Sequence, residues 1–246
     1  MDSNFTNRIE ELALRAYTRT AFTFSDFLNP TETEYLRTMR LPVPVELFGG
    51  CDFAERKMAR FGCGSDWGYV VDYPLAVMEI APHSPKFARE VTHRDFLGAI
   101  LNLGIDRAKL GDIFTDGKCG YAVVYEQLVP FIAQNLQKVG PNAVDCRLVD
   151  TVPEIFAPKL EERKISVSAP RIDAVICRLY GMSRDDGAKL VEDGRVFVNG
   201  RQCLSCAYNV KEGETVAVKG FGKFVFCEKC GTSAKGRTYL RINVFK

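Results

Sequence analysis

The chain has 246 residues, and its composition of 46% hydrophobic and 26% charged residues is typical of a globular protein of one to three domains, which excludes a disordered or fibrous chain. No stretch is apolar for long enough to span a bilayer, and the N-terminus does not have the pattern of a secretory signal peptide. The net charge of +2 is unevenly distributed, since residues 168–246 hold 14 Lys and Arg against 8 Asp and Glu, and the rest hold 19 against 23. A surface that binds a polyanion is therefore expected in the C-terminal third.

Residues 1–72 are predicted to form a helical N-terminal region. Apolar residues recur at helical spacing near its start, and Asn29-Pro30 followed by acidic residues is typical of a second helix start. A third, short and charged helix is predicted after the Gly-Gly turn at 49–50. The cations of this helix are Arg56, Lys57 and Arg60. They could contact phosphate or form a solvated helix face, and both interpretations stay open.

Residues 73–150 are predicted to form a ferredoxin-like β-α-β-β-α-β domain, an arrangement shared with RNA-recognition motifs. An apolar strand precedes a helix in which Thr92 and Asp95 have capping-box spacing. Two strands joined by a turn at 116–117, a helix containing Pro130 and a last strand follow. The third strand lacks two of the aromatic residues that stack bases in RNA-recognition motifs, so we favour a structural role for this sheet over base stacking.

Residues 151–167, which contain Pro and many charges, are interpreted as a linker to a small α/β domain at 168–246 that ends in a short tail. Helical spacing predicts a first helix that ends at Gly181 and a second helix capped by Ser183. The Asn-Gly pair at 199–200 is a strong hairpin signal. Two small helices are thus expected to pack on a small sheet.

Cationic and polar side chains fall outside the apolar pattern of this domain, along both helices and the hairpin. A rigid platform of cations with few aromatic residues suits phosphate contacts and the recognition of RNA shape. The N-terminus of the second helix adds backbone N–H donors for a phosphate. The candidate RNA-binding residues are Arg171, Arg178, Ser183, Arg184, Lys189, Arg195, Asn199, Arg201 and Lys223.

The order of these motifs resembles the S4, or alpha-L, RNA-binding domain. The family pattern is R-L-D, then S-R, then G-x-V-x-V-N-G, and then G-D, here Gly213-Glu214, followed by a strand. It is matched by Arg171, Asp173, Ser183, Arg184, Gly194, Val196, Val198, Asn199 and Gly200. Two mild departures, Ile172 in place of Leu and Glu214 in place of Asp, leave the basic face unchanged.

Four further segments resemble the YlmH-like proteins, a family of bacterial RNA-binding proteins with an S4 domain: residues 27–32, 48–57, 93–113 and 235–242. This resemblance implies a non-enzymatic protein that binds ribosomal RNA and tRNA on the large ribosomal subunit, during the rescue of stalled ribosomes. It implies neither a membrane partner nor a small-molecule substrate.

The alternative is an RNA-modifying enzyme, of the pseudouridine synthase or methyltransferase type, with an appended S4 domain. Residues 1–150 show no cofactor loop and no recognisable catalytic motif. The His93-Arg94-Asp95 segment is similar to a kinase catalytic loop, but the other kinase motifs are absent and a helix cap explains it. The nucleotide-binding signatures of a tyrosyl-tRNA synthetase, which also ends in an S4 domain, are absent too. We therefore predict no catalytic residue and favour the binding protein.

Nine cysteines, an odd number scattered along the chain, favour free thiols in a reducing, cytoplasmic compartment. Four of them form two C-x2-C pairs with 20 residues in between, which is a zinc-site spacing. A zinc site and four free thiols therefore stay open as alternatives for Cys203, Cys206, Cys227 and Cys230. No other cofactor is expected.

Overall fold

The computed structural model describes residues 3–232 and 236–245. The chain divides into two compact mixed α/β units, the N-terminal unit at 1–157 and the C-terminal unit at 158–246. Among the described residues, no helix has the length and apolar character needed to cross a membrane. Parts of the predicted segments lie outside the described residues: Met1, Asp2, Ser233, Ala234, Lys235 and Lys246.

The first part of the N-terminal unit combines three helices with an antiparallel sheet of strand order β1-β3-β2. The elements are α1 (Ser3–Arg19), β1 (Thr23–Leu28), α2 (Pro30–Leu36), β2 (Val45–Phe48), β3 (Lys57–Phe61) and α3 (Gly64–Trp67). The predicted start of α2 is confirmed, since Asn29 and Glu32 form a capping box. The prediction of a helical region is wrong in part, however, because residues 1–72 also contain this three-stranded sheet, and β3 lies where a charged helix was expected. Met58 and Ala59 of this strand pack into different hydrophobic clusters, and burial on both sides hides the alternation that marks a strand.

The second part of this unit is a five-stranded antiparallel sheet with two helices. Its elements are β4 (Leu75–Pro82), α4 (His93–Leu101), β5 (Leu110–Thr115), β6 (Gly120–Tyr125), α5 (Val129–Asn135), β7 (Lys138–Val139) and β8 (Asn142–Val149), in strand order β5-β6-β4-β8-β7. The capping box of Thr92 and Asp95 and the position of Pro130 in the first turn of α5 are confirmed. Strand β7 lies where the second helix was predicted to continue, and its Val139 is fully buried.

One face of this sheet packs on α4 and α5, and the other face is covered by side chains of the same unit. On the covered face, Val77 and Val123 share a hydrophobic cluster with Phe27 and Met58. Tyr121 lies 5.3 Å from the ring of Phe156, measured between ring centroids. The face that stacks bases in RNA-recognition motifs is therefore filled here, as expected for a structural sheet.

The same face contains a polar cluster of Glu79, Tyr121 and Arg147. Glu79, only 6% exposed, accepts a hydrogen bond from the hydroxyl of Tyr121 at 2.6 Å and forms an ion pair with Arg147. The hydrogen bond to Arg147 lowers the pKa of Glu79, and the hydrogen bond to Glu79 raises the pKa of Tyr121 to about 12. Glu79 thus joins side chains of the three neighbouring strands β4, β6 and β8.

The C-terminal unit is a six-stranded antiparallel sheet with two helices on one face. Its elements are β9 (Leu160–Val167), α6 (Ile172–Tyr180), α7 (Arg184–Glu192), β10 (Val196–Val198), β11 (Arg201–Gln202), β12 (Thr215–Val218), β13 (Gly222–Thr232) and β14 (Thr238–Phe245), in strand order β11-β10-β12-β13-β14-β9. Inward side chains of both helices and of the strands form one hydrophobic cluster.

Two parts of this unit differ from the prediction. The expected linker at 151–167 includes strand β9, which pairs with β14 along its whole length. The expected short tail forms the long β13–β14 hairpin. Strand β9 was missed because its charged first half lies at the sheet edge, and only Ile165 and Val167 show the burial of a strand.

Candidate RNA-binding surface

The two helices of the C-terminal unit approach each other closely at Gly187. A Cβ atom at this position would overlap the sulfur of Cys177 and crowd the carbonyl oxygen of Asp173. The Cys177 thiol donates a hydrogen bond to the carbonyl of Ser183 at 3.0 Å, which ties α6 to the start of α7. This close contact fixes the positions of the cations that the two helices carry.

The start of α7 is capped as predicted, and its first turn is acidic. Ser183 Oγ accepts the N–H of Asp186 at 3.1 Å and donates to the Asp186 carboxylate at 2.6 Å. Asp185 and Asp186 both lie in the first helical turn. These carboxylates already interact with the positive end of the helix dipole. We therefore expect the side chain of Arg184, more than the backbone N–H groups, to bind a phosphate at this helix start.

The Asn-Gly hairpin also forms as predicted, and its asparagine has a structural role. Asn199 and Gly200 have φ angles of 46° and 78°, which a type I′ turn requires at both central positions. Asn199 Oδ1 accepts the N–H of Thr215 at 2.9 Å, so this side chain holds β12 next to the turn. The hairpin then presents the exposed side chain of Arg201 on β11.

The predicted cations fall into two groups. Arg171 pairs with the carboxylate of Asp173 at 2.7 and 3.1 Å, and Arg195 donates to the carbonyl of Lys219 at 2.9 Å. Lys223 lies 4.8 Å from the ring centroid of Phe245. Within the described residues, the other four are exposed and make no side-chain hydrogen bond or ion pair: Arg178, Arg184, Lys189 and Arg201.

These four cations, which we call the S4 cations, lie on α6, α7 and the β10–β11 hairpin. Each can approach a phosphate without first breaking an interaction inside the protein. Charge-assisted contacts of this kind position a protein on RNA without reading bases. Ser183 and Asn199, by contrast, support the elements that carry the cations.

Of the three cations of the N-terminal unit that were open to a phosphate role, the two arginines are used internally, and Lys57 lies half-buried on β3. The half-buried guanidinium of Arg56 donates to the carbonyls of Phe27 at 2.9 Å and Leu110 at 3.0 Å. Arg60 pairs with Glu46 and donates to the carbonyl of Val71 at 2.7 Å. These two arginines therefore hold strands and loops together.

The two cysteine pairs do not form a metal site in the structure. Cys203 follows β11 and Cys227 lies on β13, and β10 and β12 lie between these strands. Within the described residues, no three His, Cys, Asp or Glu side chains are grouped so that they could hold a metal ion. The arrangement does not fit the four-cysteine zinc site, and elemental analysis of the purified protein would test zinc binding directly.

Three lysine–aromatic contacts in the C-terminal unit were not predicted from the sequence. They join Lys164 to Tyr239, Lys219 to Phe197 and Lys223 to Phe245. The signal was present in β14, where Leu240, Ile242 and Val244 alternate with larger polar and aromatic residues. It was overlooked because residues 238–245 were interpreted as a tail.

Two family models match the chain. One, described as "Putative RNA-binding domain in YlmH", matches residues 69–152, and the S4 domain matches residues 170–216. Ribosome-associated protein quality control protein P2 of Bacillus subtilis is 32% identical over 202 residues, which cover 81% of this chain and 78% of the relative.

Two more distant similarities are partial. Small ribosomal subunit protein uS4 of Clostridium botulinum is 32% identical over 80 residues, 32% of this chain and 35% of that protein. The solved structure of cell division protein ylmH from Streptococcus pneumoniae aligns with 63% of this chain and 93% of its own, with a TM-score of 0.49 and 21% identity. The long match to the Bacillus protein and the two family models confirm the resemblance stated from the motifs. The chain therefore belongs to the YlmH-like family and carries a C-terminal S4 domain.

Proposed function

We propose that this protein is a non-enzymatic, cytoplasmic RNA-binding protein that acts on the ribosome. Its S4 domain contacts ribosomal RNA and tRNA on the large subunit, during the rescue of stalled ribosomes. The observation that carries the proposal is the set of four S4 cations, exposed on a rigid pair of helices and a hairpin. The name of the Bacillus relative, a ribosome-associated quality control protein, supports the ribosomal part of the proposal.

The charge distribution over the two units supports RNA as the ligand. The C-terminal unit has 17 Lys and Arg against 10 Asp and Glu, whereas the N-terminal unit has 16 against 21. Phosphates are therefore attracted to the C-terminal unit and repelled by the other. This field orients the protein so that the S4 domain meets RNA first.

The N-terminal unit supports a binding protein over an RNA-modifying enzyme. We assign the ferredoxin-like arrangement to its five-stranded sheet, supported by the order β5-β6-β4-β8 with two helices on one face. The opposite face is filled by Phe27, Met58 and Phe156, and its buried Glu79 is fully paired. No observation on this unit favours the enzyme alternative.

Binding to structured RNA should depend strongly on salt, because each neutralised phosphate releases a counterion. If the four S4 cations each meet one phosphate, affinity should fall about 100-fold between 50 and 200 mM salt. Titration of the purified protein against a ribosomal RNA fragment at several salt concentrations measures this slope. Arg201→Gln should reduce the slope by about one, and a slope near zero would contradict phosphate docking.

A further inference from the structure

The outer face of the six-stranded sheet, turned away from α6 and α7, carries a pattern that the S4 cations do not explain. On β14, Leu240, Ile242 and Val244 point into the core, so the residues between them point outward. Tyr239 and Phe245, two of these outward residues, are half-exposed. On β10, Phe197 lies between buried Val196 and Val198 and is also half-exposed. Three rings are thus presented on one face.

Each ring of this outer face has a lysine beside it. Lys219 Nζ lies 5.0 Å from the ring centroid of Phe197. Lys223 Nζ lies 4.8 Å from that of Phe245, and Lys164 Nζ lies 4.8 Å from that of Tyr239. A cation within about 6 Å of a ring is held near it. The face therefore repeats one unit three times, a ring with a lysine ammonium over its face, and a base that stacks on the ring would displace this lysine toward the adjoining phosphate.

The register of the sheet places these units at separations suited to an extended chain. Strands β10 and β14 are three strand spacings apart, which puts Phe197 and Phe245 about 14 Å apart across the sheet. Tyr239 is six residues from Phe245 along β14, about 20 Å. Ala217 on β12 pairs with both Phe197 and Lys223. Across the sheet, the small Ala217 and Lys223 therefore lie between the rings of Phe197 and Phe245.

We propose that this outer sheet face is a second RNA-binding surface, and that it takes single-stranded RNA. Bases stack on Phe197, Tyr239 and Phe245, and the adjacent lysines meet the phosphates. Combined stacking and charge neutralisation is how sheet surfaces hold single strands without reading sequence. The bases of structured RNA are already paired and stacked, so structured RNA binds instead to the S4 cations on the helix side.

Charge complementarity favours RNA over a protein partner on this face. A surface that binds an apolar protein partner would present aromatic rings without charges, whereas each ring on this face has a lysine next to it. The strand register places Glu162 and Glu228 on this face, where both are paired with Arg241. The three lysines and Arg241 outnumber these two carboxylates, so the charges named on the face are net positive.

The test is binding of a fluorescently labelled twelve-nucleotide oligouridine, measured by anisotropy with the full-length protein. Phe197→Leu, Tyr239→Leu and Phe245→Leu keep apolar bulk and remove the ring. Each single change should weaken binding at least about 5-fold, and the triple variant at least about 100-fold. The matched control is Phe221→Leu, since this exposed ring packs on Tyr180 of α6, 5.5 Å between centroids. It should bind like wild type.

Failure of this inference is distinguishable from failure of the proposed function. Reversing Arg184 and Arg201 to Glu should weaken binding of a structured ribosomal RNA fragment and largely spare the oligouridine, while the triple variant should do the opposite. No oligouridine binding by wild-type protein, or equal binding by the triple variant, would overturn the inference and leave the S4 cations untouched. A crosslink from a 4-thiouridine oligonucleotide to Phe197 or Tyr239 peptides would support it, and crosslinks confined to α7 would refute it.

Discussion

Reversing Arg184 and Arg201 together to Glu should detach the protein from ribosomal particles. Each of these exposed arginines loses a charge-assisted phosphate contact and gains a repulsive carboxylate, so affinity should fall at least about 100-fold. The fold should hold, because both side chains are exposed and neither has a hydrogen bond or ion pair within the described residues. An acid at position 184 is also favourable at a helix start. Co-sedimentation with large subunits, paired with a thermal melt, measures both effects.

The choice of these two arginines depends on the structure. Arg171 is paired with Asp173 in two hydrogen bonds, and a glutamate there would repel Asp173 and disturb the start of α6. A matched control is the pair Arg40→Glu and Lys118→Glu in the N-terminal unit, which changes the net charge equally. The control should co-sediment like wild type. If the Arg184 and Arg201 variant also does so, the S4 cations are not the main ribosome contact.

Gly187→Ala should strongly destabilise the C-terminal unit. The new methyl group would overlap the sulfur of Cys177, and overpacking of this kind costs about 1 to 3 kcal/mol. Adding Cys177→Ala removes the overlapping sulfur, so part of the loss should be recovered. Chemical denaturation of the four proteins in this double-mutant cycle gives the coupling free energy between the two positions.

The control for this experiment is Gly98→Ala in α4. Apart from its own helix, no described atom lies within 4 Å of a Cβ at that position, and alanine is favoured over glycine in a helix by up to about 1 kcal/mol. The same substitution should thus stabilise one helix and destabilise the other. Additive effects of Gly187→Ala and Cys177→Ala would contradict the close approach of α6 and α7.

The elements that could be predicted from the sequence are those specified by local signals. The cap at Ser183, the glycine stop at Gly181 and the Asn-Gly hairpin depend on neighbouring residues only, and all three are observed. Strands β3 and β9 were missed because long-range pairing defines them. Met58 is buried on one side of β3 by a cluster formed from distant segments, which no local pattern reveals.

In the candidate site, too, local sequence signals predicted some features, and tertiary contacts determine the others. The exposure of the S4 cations followed from their positions outside the apolar stripes. The partners of Arg171 and Asn199 could not be predicted. The contact of Arg171 with Asp173 depends on the rotamer of the arginine, and Asn199 accepts a hydrogen bond from Thr215, which is distant in sequence; both are determined by tertiary structure. The spacing of the cysteine pairs was equally uninformative, since it cannot show that β11 and β13 are not neighbours.

The most direct test of the central claim is crosslinking of the protein to RNA in living cells, followed by sequencing of the RNA and mass spectrometry of the crosslinked peptides. Docking through the S4 cations predicts enrichment of large-subunit ribosomal RNA and tRNA, with crosslinked peptides between Arg178 and Arg201. Enrichment of other RNA, or crosslinks confined to the N-terminal unit, would contradict it.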